Sequence, residues 1–252
     1  MYKINFIKEN QFEENVYNTL MVYNNSLKKM NLTEFNKNII DPIKLCFDKG
    51  FYNKKFEEII KMEIARQHDK TNTNAIGYFH QNMFKYINKC NVPKTGWDVI
   101  YAGKEYNIYV EMKNKHNTMN SSSAQKTYIG MQNQILKTPN DYCYLVEVIA
   151  KKSQNIVWTC SINNKKVKNE HIRRVSIDQF YKEVTGIDNA FFQICQQLPI
   201  TIEKIVKNEI ANLETSNAVI KEIKNINPNI LLAFYKLSFE TYIGFDEVFK
   251  QK

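Results

Sequence analysis

Arginine is nearly missing from this chain: of 35 Lys+Arg, only Arg66, Arg173 and Arg174 are arginines. Lysine cannot present the planar guanidinium fork, so each arginine kept is a candidate for paired recognition of a carboxylate, a phosphate or a guanine edge. Cysteine is thinly spread as well. Cys46, Cys90, Cys143, Cys160 and Cys195 form no CxxC pair and have no histidine at zinc-ligand spacing, which excludes a zinc ribbon or finger and predicts reduced, buried thiols. Seven glycines and five prolines in 252 residues exclude collagen-like and low-complexity classes. No apolar run approaches the roughly 18 residues of a membrane helix. The opening MYKINFIKENQFEEN has neither a signal-peptide core nor a transit pattern, so a cytoplasmic address is expected. GxxxxGK[ST], HExxH and GxSxG are all missing, which removes support for nucleotide hydrolase, zinc protease and serine hydrolase readings.

What is present is an ordinary globular composition, 43% hydrophobic and 24% charged, with a formal charge of +9. That excess suits a polyanionic partner, although a general bias toward Lys, Asn and Ile contributes to it. No repeat or linker marks a boundary, so a single domain over 1–252 is expected, with a helical part at 1–70, a core at 74–177 and a helical part at 178–252. Phe12, Val16, Leu20, Tyr23 and Leu27 recur at helical spacing, as do Phe56, Ile59, Ile60 and Ile64, and then Ile76, Phe79, Met83, Phe84 and Ile87. Asn91, Pro93 and Gly96 end that pattern. Residues 97–101 and 106–112 read as strands joined by a turn at Ala102-Gly103-Lys104. Ser121–Ser123 are read as the cap of a helix that stops near Pro139; 143–150, 156–162 and 171–177 follow as strands, and 199–213 and 229–243 as helices. The expected fold class is α/β or α+β, a central mixed sheet flanked by helices with helical additions at both ends.

Chemistry concentrates at Asp98 and Glu111-Met112-Lys113. Side chains alternate along a strand, so Glu111 and Lys113 share a face while Met112 points behind them, and the hairpin returns Asp98 to the same place. Two carboxylates and the Met112 backbone carbonyl supply the hard oxygens that Mg²⁺ prefers, and Lys113 stands ready to organise or deprotonate a water. A Glu-x-Lys triplet alone is uninformative, since about two arise by chance in such a chain and two occur, at Glu111 and at Glu222. The second has no acidic strand before it and reads as a solvated face.

Asp98, Glu111 and Lys113 resemble the PD-(D/E)XK nuclease signature, with Trp97 where the motif has proline. The blocks from Val110 to Ser122 and from Asn74 to Gln81 are similar to type II restriction endonucleases that recognise GGNCC or GGWCC sites, over roughly residues 60–150. The resemblance implies a restriction-endonuclease-like core and a Mg²⁺-dependent endonuclease. Such an enzyme acts as a homodimer on a short palindrome in double-stranded DNA and leaves 5′-phosphates. A cognate DNA methyltransferase is expected in the same system. Asp98, Glu111 and the Met112 carbonyl would hold the metal, with Gln81 and Glu63 as further candidates, and His80 is either a contact to the scissile phosphate or a satisfied, half-buried structural histidine. The polar stretch after the catalytic strand offers Lys115, His116, Asn117, Asn120, Ser122, Gln125 and Lys126 to DNA. Arg173 and Arg174 are the candidates for reading guanines. The rival readings are a structure-selective repair nuclease on the same core and a non-catalytic basic DNA-binding module.

Overall fold

A computed structural model describes residues 2–28, 42–209, 227–228, 232, 236 and 239–246. The chain divides into two compact units, Glu14–His80 and Met1–Glu13 with Gln81–Lys252.

Among the described residues, the first part of the chain forms three helices: α1 (Glu9–Lys28), α2 (Pro42–Tyr52) and α3 (Phe56–Met83). The two apolar patterns at 56–64 and 76–87 belong to one continuous 28-residue helix, α3, closed by a 3₁₀ turn at Phe84–Tyr86. Within the Glu14–His80 unit, buried Asn15 of α1 donates from Nδ2 to the Phe79 carbonyl of α3 at 3.0 Å, which satisfies a polar group that would otherwise destabilise the contact.

The larger unit is built on a six-stranded mixed sheet. Its strands are β1 (Cys90–Asn91), β2 (Val99–Ala102), β3 (Asn107–Lys115), β4 (Tyr142–Ile149), β5 (Asn155–Val157) and β8 (Ile172–Ser176), in the order β1-β2-β3-β4-β8-β5. A separate two-stranded ribbon joins β6 (Cys160–Ile162) to β7 (Lys165–Val167). The β2–β3 hairpin is antiparallel, whereas β3–β4 and β4–β8 are parallel. The crossover from β3 to β4 is α4 (Ser121–Lys137), as a parallel connection requires. Gly103 makes the hairpin turn possible, because a Cβ there would stand 2.4 Å from the Tyr106 carbonyl oxygen.

Both faces of the sheet are covered. On one, Tyr128, Met131 and Ile135 of α4 pack with Cys143, Leu145, Trp158, Cys160 and Ile172. On the other, α5 (Ile177–Thr185) lays Phe180 against Tyr144, and Tyr181 stacks on Phe84 at 4.6 Å. Being buried on both sides, β4 is apolar nearly throughout. No helix among the described residues is long and apolar enough to cross a membrane.

Four local expectations need correction. The segment 156–162 is two strands in two sheets: after Trp158 N–H bonds the Ile172 carbonyl at 2.9 Å, the chain leaves β8 and its tryptophan turns edge-on to Tyr128. The cap of α4 is Asn120, whose side chain accepts from Ser123 N–H at 2.8 Å. The ladder of β2 opens at Val99, because Gly96, at φ +92°, still turns the chain just before Asp98. Pro199 lies inside helix α6 (Ala190–Glu209); buried Ala190, Phe191, Ile194 and Cys195 anchor the turns before the missing backbone bond. Residues 210–213, most of 229–243 and the Glu222 triplet lie outside the described residues. Cys143, Cys160 and Cys195 are buried and Cys90 is half-buried, and none of the four forms a disulfide among the described residues.

Candidate active site

The period of two along β3 sorts its side chains cleanly. Ile108, Val110 and Met112 are buried on one face, while Tyr109, Glu111 and Lys113 stand half-buried on the other. Val99 pairs with Val110, so Asp98, one step earlier, stands opposite Glu111. Its backbone N–H donates to the Val110 carbonyl at 2.9 Å, a bond just outside the ladder that ties Asp98 to β3. The Met112 N–H then donates to Asp98 Oδ2 at 2.7 Å, and Lys113 Nζ donates to Glu111 Oε1 at 2.6 Å. The three residues expected to act together are thus brought together. Burial raises the Asp98 carboxyl above its ordinary pKa and neighbouring Glu111 adds to the rise, while the Met112 N–H and Lys113 oppose it.

The next residue on this face carries no motif that would single it out. In the parallel register Glu111 pairs with Leu145 and Lys113 with Glu147, while Leu145 pairs with Arg174 of β8. The face is therefore apolar under α4 and turns polar toward the carboxyl ends of the strands. Glu147 is 1% exposed. Its Oε1 accepts from Arg174 Nε at 2.8 Å and from the same guanidinium's terminal nitrogen. Arg174 also donates to the His116 carbonyl at 2.9 Å, tying the end of β3 to β8. A lone charged residue in an otherwise apolar parallel strand is the signal that could have marked Glu147.

The remaining candidates are spread over several elements. Lys115, Asn117, Asn120, Ser122 and Lys126 are exposed and Gln125 is half-buried, around the first turn of α4. His116 is half-buried and its backbone N–H bonds the Ile149 carbonyl at 3.0 Å. Asn120 uses its side-chain oxygen as the helix cap. Arg173 and Arg174, adjacent in sequence, face opposite sides of the sheet. Arg173 is held by the Asn155 carbonyl at 2.8 Å and the Asn155 side chain, and Arg174 by Glu147. Glu63 and His80 belong to the Glu14–His80 unit. Glu63 is bound by Arg66 and Gln67 on its own helix, and the Arg66 guanidinium holds its carboxyl below the ordinary range. Burial pushes half-buried His80 down to about 4, so it is neutral at pH 7. Gln81, in the larger unit, is half-buried.

The donor set suits one cation class. Asp98, Glu111 and the Met112 carbonyl are all oxygen donors, and Mg²⁺ is held by one or two carboxylates while keeping places for water and a phosphate oxygen. Among the described residues no group of three or more His, Cys, Asp or Glu stands together, so the closed multi-ligand cage that structural zinc needs is not built there.

Comparison with known proteins agrees with this architecture. The chain is 29% identical over 228 residues to the type II restriction enzyme Sau96I of Staphylococcus aureus, covering 87% of each chain. It is 29% identical over 185 residues to the type II restriction enzyme Eco47II of Escherichia coli, covering 70% of this chain and 77% of that one. A sequence profile of the Eco47II restriction endonuclease family matches residues 4–207. A mixed sheet flanked by helices, with an aspartate just before the first strand of its hairpin and a glutamate and a lysine on the second, thus comes with a family match over most of the chain, and the chain belongs to the Eco47II restriction endonuclease family.

Proposed function

We propose that this enzyme hydrolyses both strands of a short palindromic, GGNCC-like DNA site in a Mg²⁺-dependent reaction, using the PD-(D/E)XK chemistry of Asp98, Glu111 and Lys113. The observation that carries the reading is the juxtaposition of Asp98 and Glu111 across the hairpin, with Lys113 one pleat further along the same face. Bound between Asp98, Glu111 and the Met112 carbonyl, Mg²⁺ would supply Lewis-acid polarisation of the scissile phosphate and neutralise its developing charge. Lys113 orients the attacking water for in-line approach to phosphorus and takes part in removing its proton. The bond to the 3′-oxygen breaks, that oxygen takes up a proton, and the products are a 3′-hydroxyl and a 5′-phosphate.

The substrate lies along the segment after β3. Lys115 and Lys126 contact phosphates, Ser122 contacts backbone oxygens, and the amides of Asn117 and Gln125 have the donor–acceptor pairs that base edges require. The first turn of α4 adds the positive end of a helix dipole, which favours phosphate. A palindrome has two equivalent strands, and a two-fold homodimer gives one catalytic centre to each. A sequence-specific nuclease of this kind needs a cognate methyltransferase to protect host DNA.

The deciding experiment incubates wild type and Lys113→Ala with a plasmid of known sequence, in Mg²⁺ and in EDTA, and sequences the product ends. Discrete fragments sharing one end sequence, dependent on Mg²⁺ and lost in Lys113→Ala, are expected. Scattered nicking, or an intact plasmid that is nevertheless bound, would overturn the proposal.

A further inference from the structure

Glu147 is a buried carboxylate with one oxygen in use. Oε1 takes both contacts from Arg174, whereas Oε2 is shielded from solvent and has no hydrogen-bond partner among the described residues. Buried carboxylate oxygens are ordinarily satisfied, and an orphan at a functional face calls for a partner that arrives in another state. The group in register with Glu147 is Lys113, its Cα partner on the adjacent parallel strand, with both side chains on the same face of the sheet. In the structure Lys113 is held elsewhere, by Glu111 Oε1.

The role assigned to Glu147 rests on the reading of Glu111 as a cation ligand, and the Lys113 contact stands against such a ligand. An ammonium bonded to Glu111 competes with a divalent cation for the same negative charge and repels it. Lys113 must therefore leave Glu111 when a cation enters, and it needs a carboxylate to receive it. Glu147 is not a third ligand, since the described residues bring no three acidic or other metal-binding side chains together. Its own charge is only partly committed, through Oε1, to Arg174. We infer that Glu147 is a positioning residue for Lys113: its free Oε2 accepts the Lys113 ammonium when that group is displaced from Glu111. Lys113 then stays at the site, one strand over from the two carboxylates, in place to orient water. Arg174 fixes the Glu147 carboxylate through Oε1, and so holds Oε2 where Lys113 can reach it.

The test reads cation binding without DNA and without turnover. Mn²⁺, which favours the same oxygen ligands, is titrated by electron paramagnetic resonance into wild type, Glu147→Gln, Lys113→Ala and the double variant. Glu147→Gln should weaken Mn²⁺ binding about tenfold, a middling coupling for neighbouring charged groups, because Lys113 then remains on Glu111. In the Lys113→Ala background the same change should have no effect beyond about twofold, since no ammonium is left to be placed. Unchanged affinity in Glu147→Gln, or an equal loss in both backgrounds, overturns the inference. If Glu147→Gln fails to melt cooperatively, Glu147→Gln combined with Arg174→Gln removes both charges together and must show the same Lys113-dependent loss. The plasmid experiment tests the nuclease reading separately, so either can fail alone.

Discussion

Met112 and Asp98 are joined by one bond that serves structure and site together: the strand's backbone N–H donates to the carboxylate at 2.7 Å. Asp98→Asn keeps an oxygen to accept that bond but removes the charge. The variant should therefore melt close to wild type, while cleavage falls by about three orders of magnitude, the scale of several kcal/mol of lost charge stabilisation. Asp98→Ala loses the acceptor too, and should be less stable than Asp98→Asn by about 1 kcal/mol. Calorimetry and single-turnover cleavage of both variants separate the two roles; equal stability of Asn and Ala would show that the bond contributes nothing.

Lys115 and Lys126 are exposed on either side of the α4 cap. If both contact phosphates, replacing either with Gln should weaken DNA binding on every sequence alike and reduce the slope of log K against log salt by about 0.9. Gln125→Ala should instead leave the slope unchanged and weaken binding to the preferred site alone. Electrophoretic shifts over a salt series, with Ca²⁺ in place of Mg²⁺, read both quantities; a lysine variant that changes neither has no phosphate contact.

The hairpin that brings Asp98, Glu111 and Lys113 together was legible because two signals coincide there. Alternation over 106–112 fixes which residues share a face, and Gly103 at the turn fixes which residue stands opposite Glu111. Both are local, with partners close together in the chain. Glu147 and Arg174 were not legible as a pair, because parallel strands join segments separated by whole helices and ribbons, and nothing local sets their register. Adjacent Arg173 and Arg174 look like one basic element in sequence, yet the period of two sends them to opposite faces. The proline at 199 reads as a helix start, since proline suits the first turn; packing by Phe191 and Ile194 keeps the helix continuous through it.

That difference between the two arginines has a measurable consequence. Arg174→Ala leaves Glu147, 1% exposed, without its counter-charge, and should cost about 3 kcal/mol by urea unfolding, at the lower end for a broken buried pair because Arg174 keeps some solvent contact. Arg173→Ala removes contacts to Asn155 at an exposed strand edge and should cost about 1 kcal/mol or less. Equal losses would mean that the Glu147 pair is not the main support of the β4–β8 contact.

His80 gives the folded protein a pH dependence whose sign follows from its burial. Its folded-state pKa lies at about 4 against an ordinary 6.5, so below pH 6.5 the unfolded chain takes up a proton that the folded chain refuses. Stability from this group is intact above pH 6.5, falls as the pH drops toward 4, and is level below that. The loss by pH 5 should be about 2 kcal/mol. His80→Gln has no proton to gain, so wild type should lose that much more stability than His80→Gln between pH 7 and pH 5 in urea titrations. Carboxylates elsewhere titrate equally in both proteins and cancel in the difference. Parallel stability curves for the two proteins would show that the imidazole is hydrated in the folded state and titrates near its ordinary value.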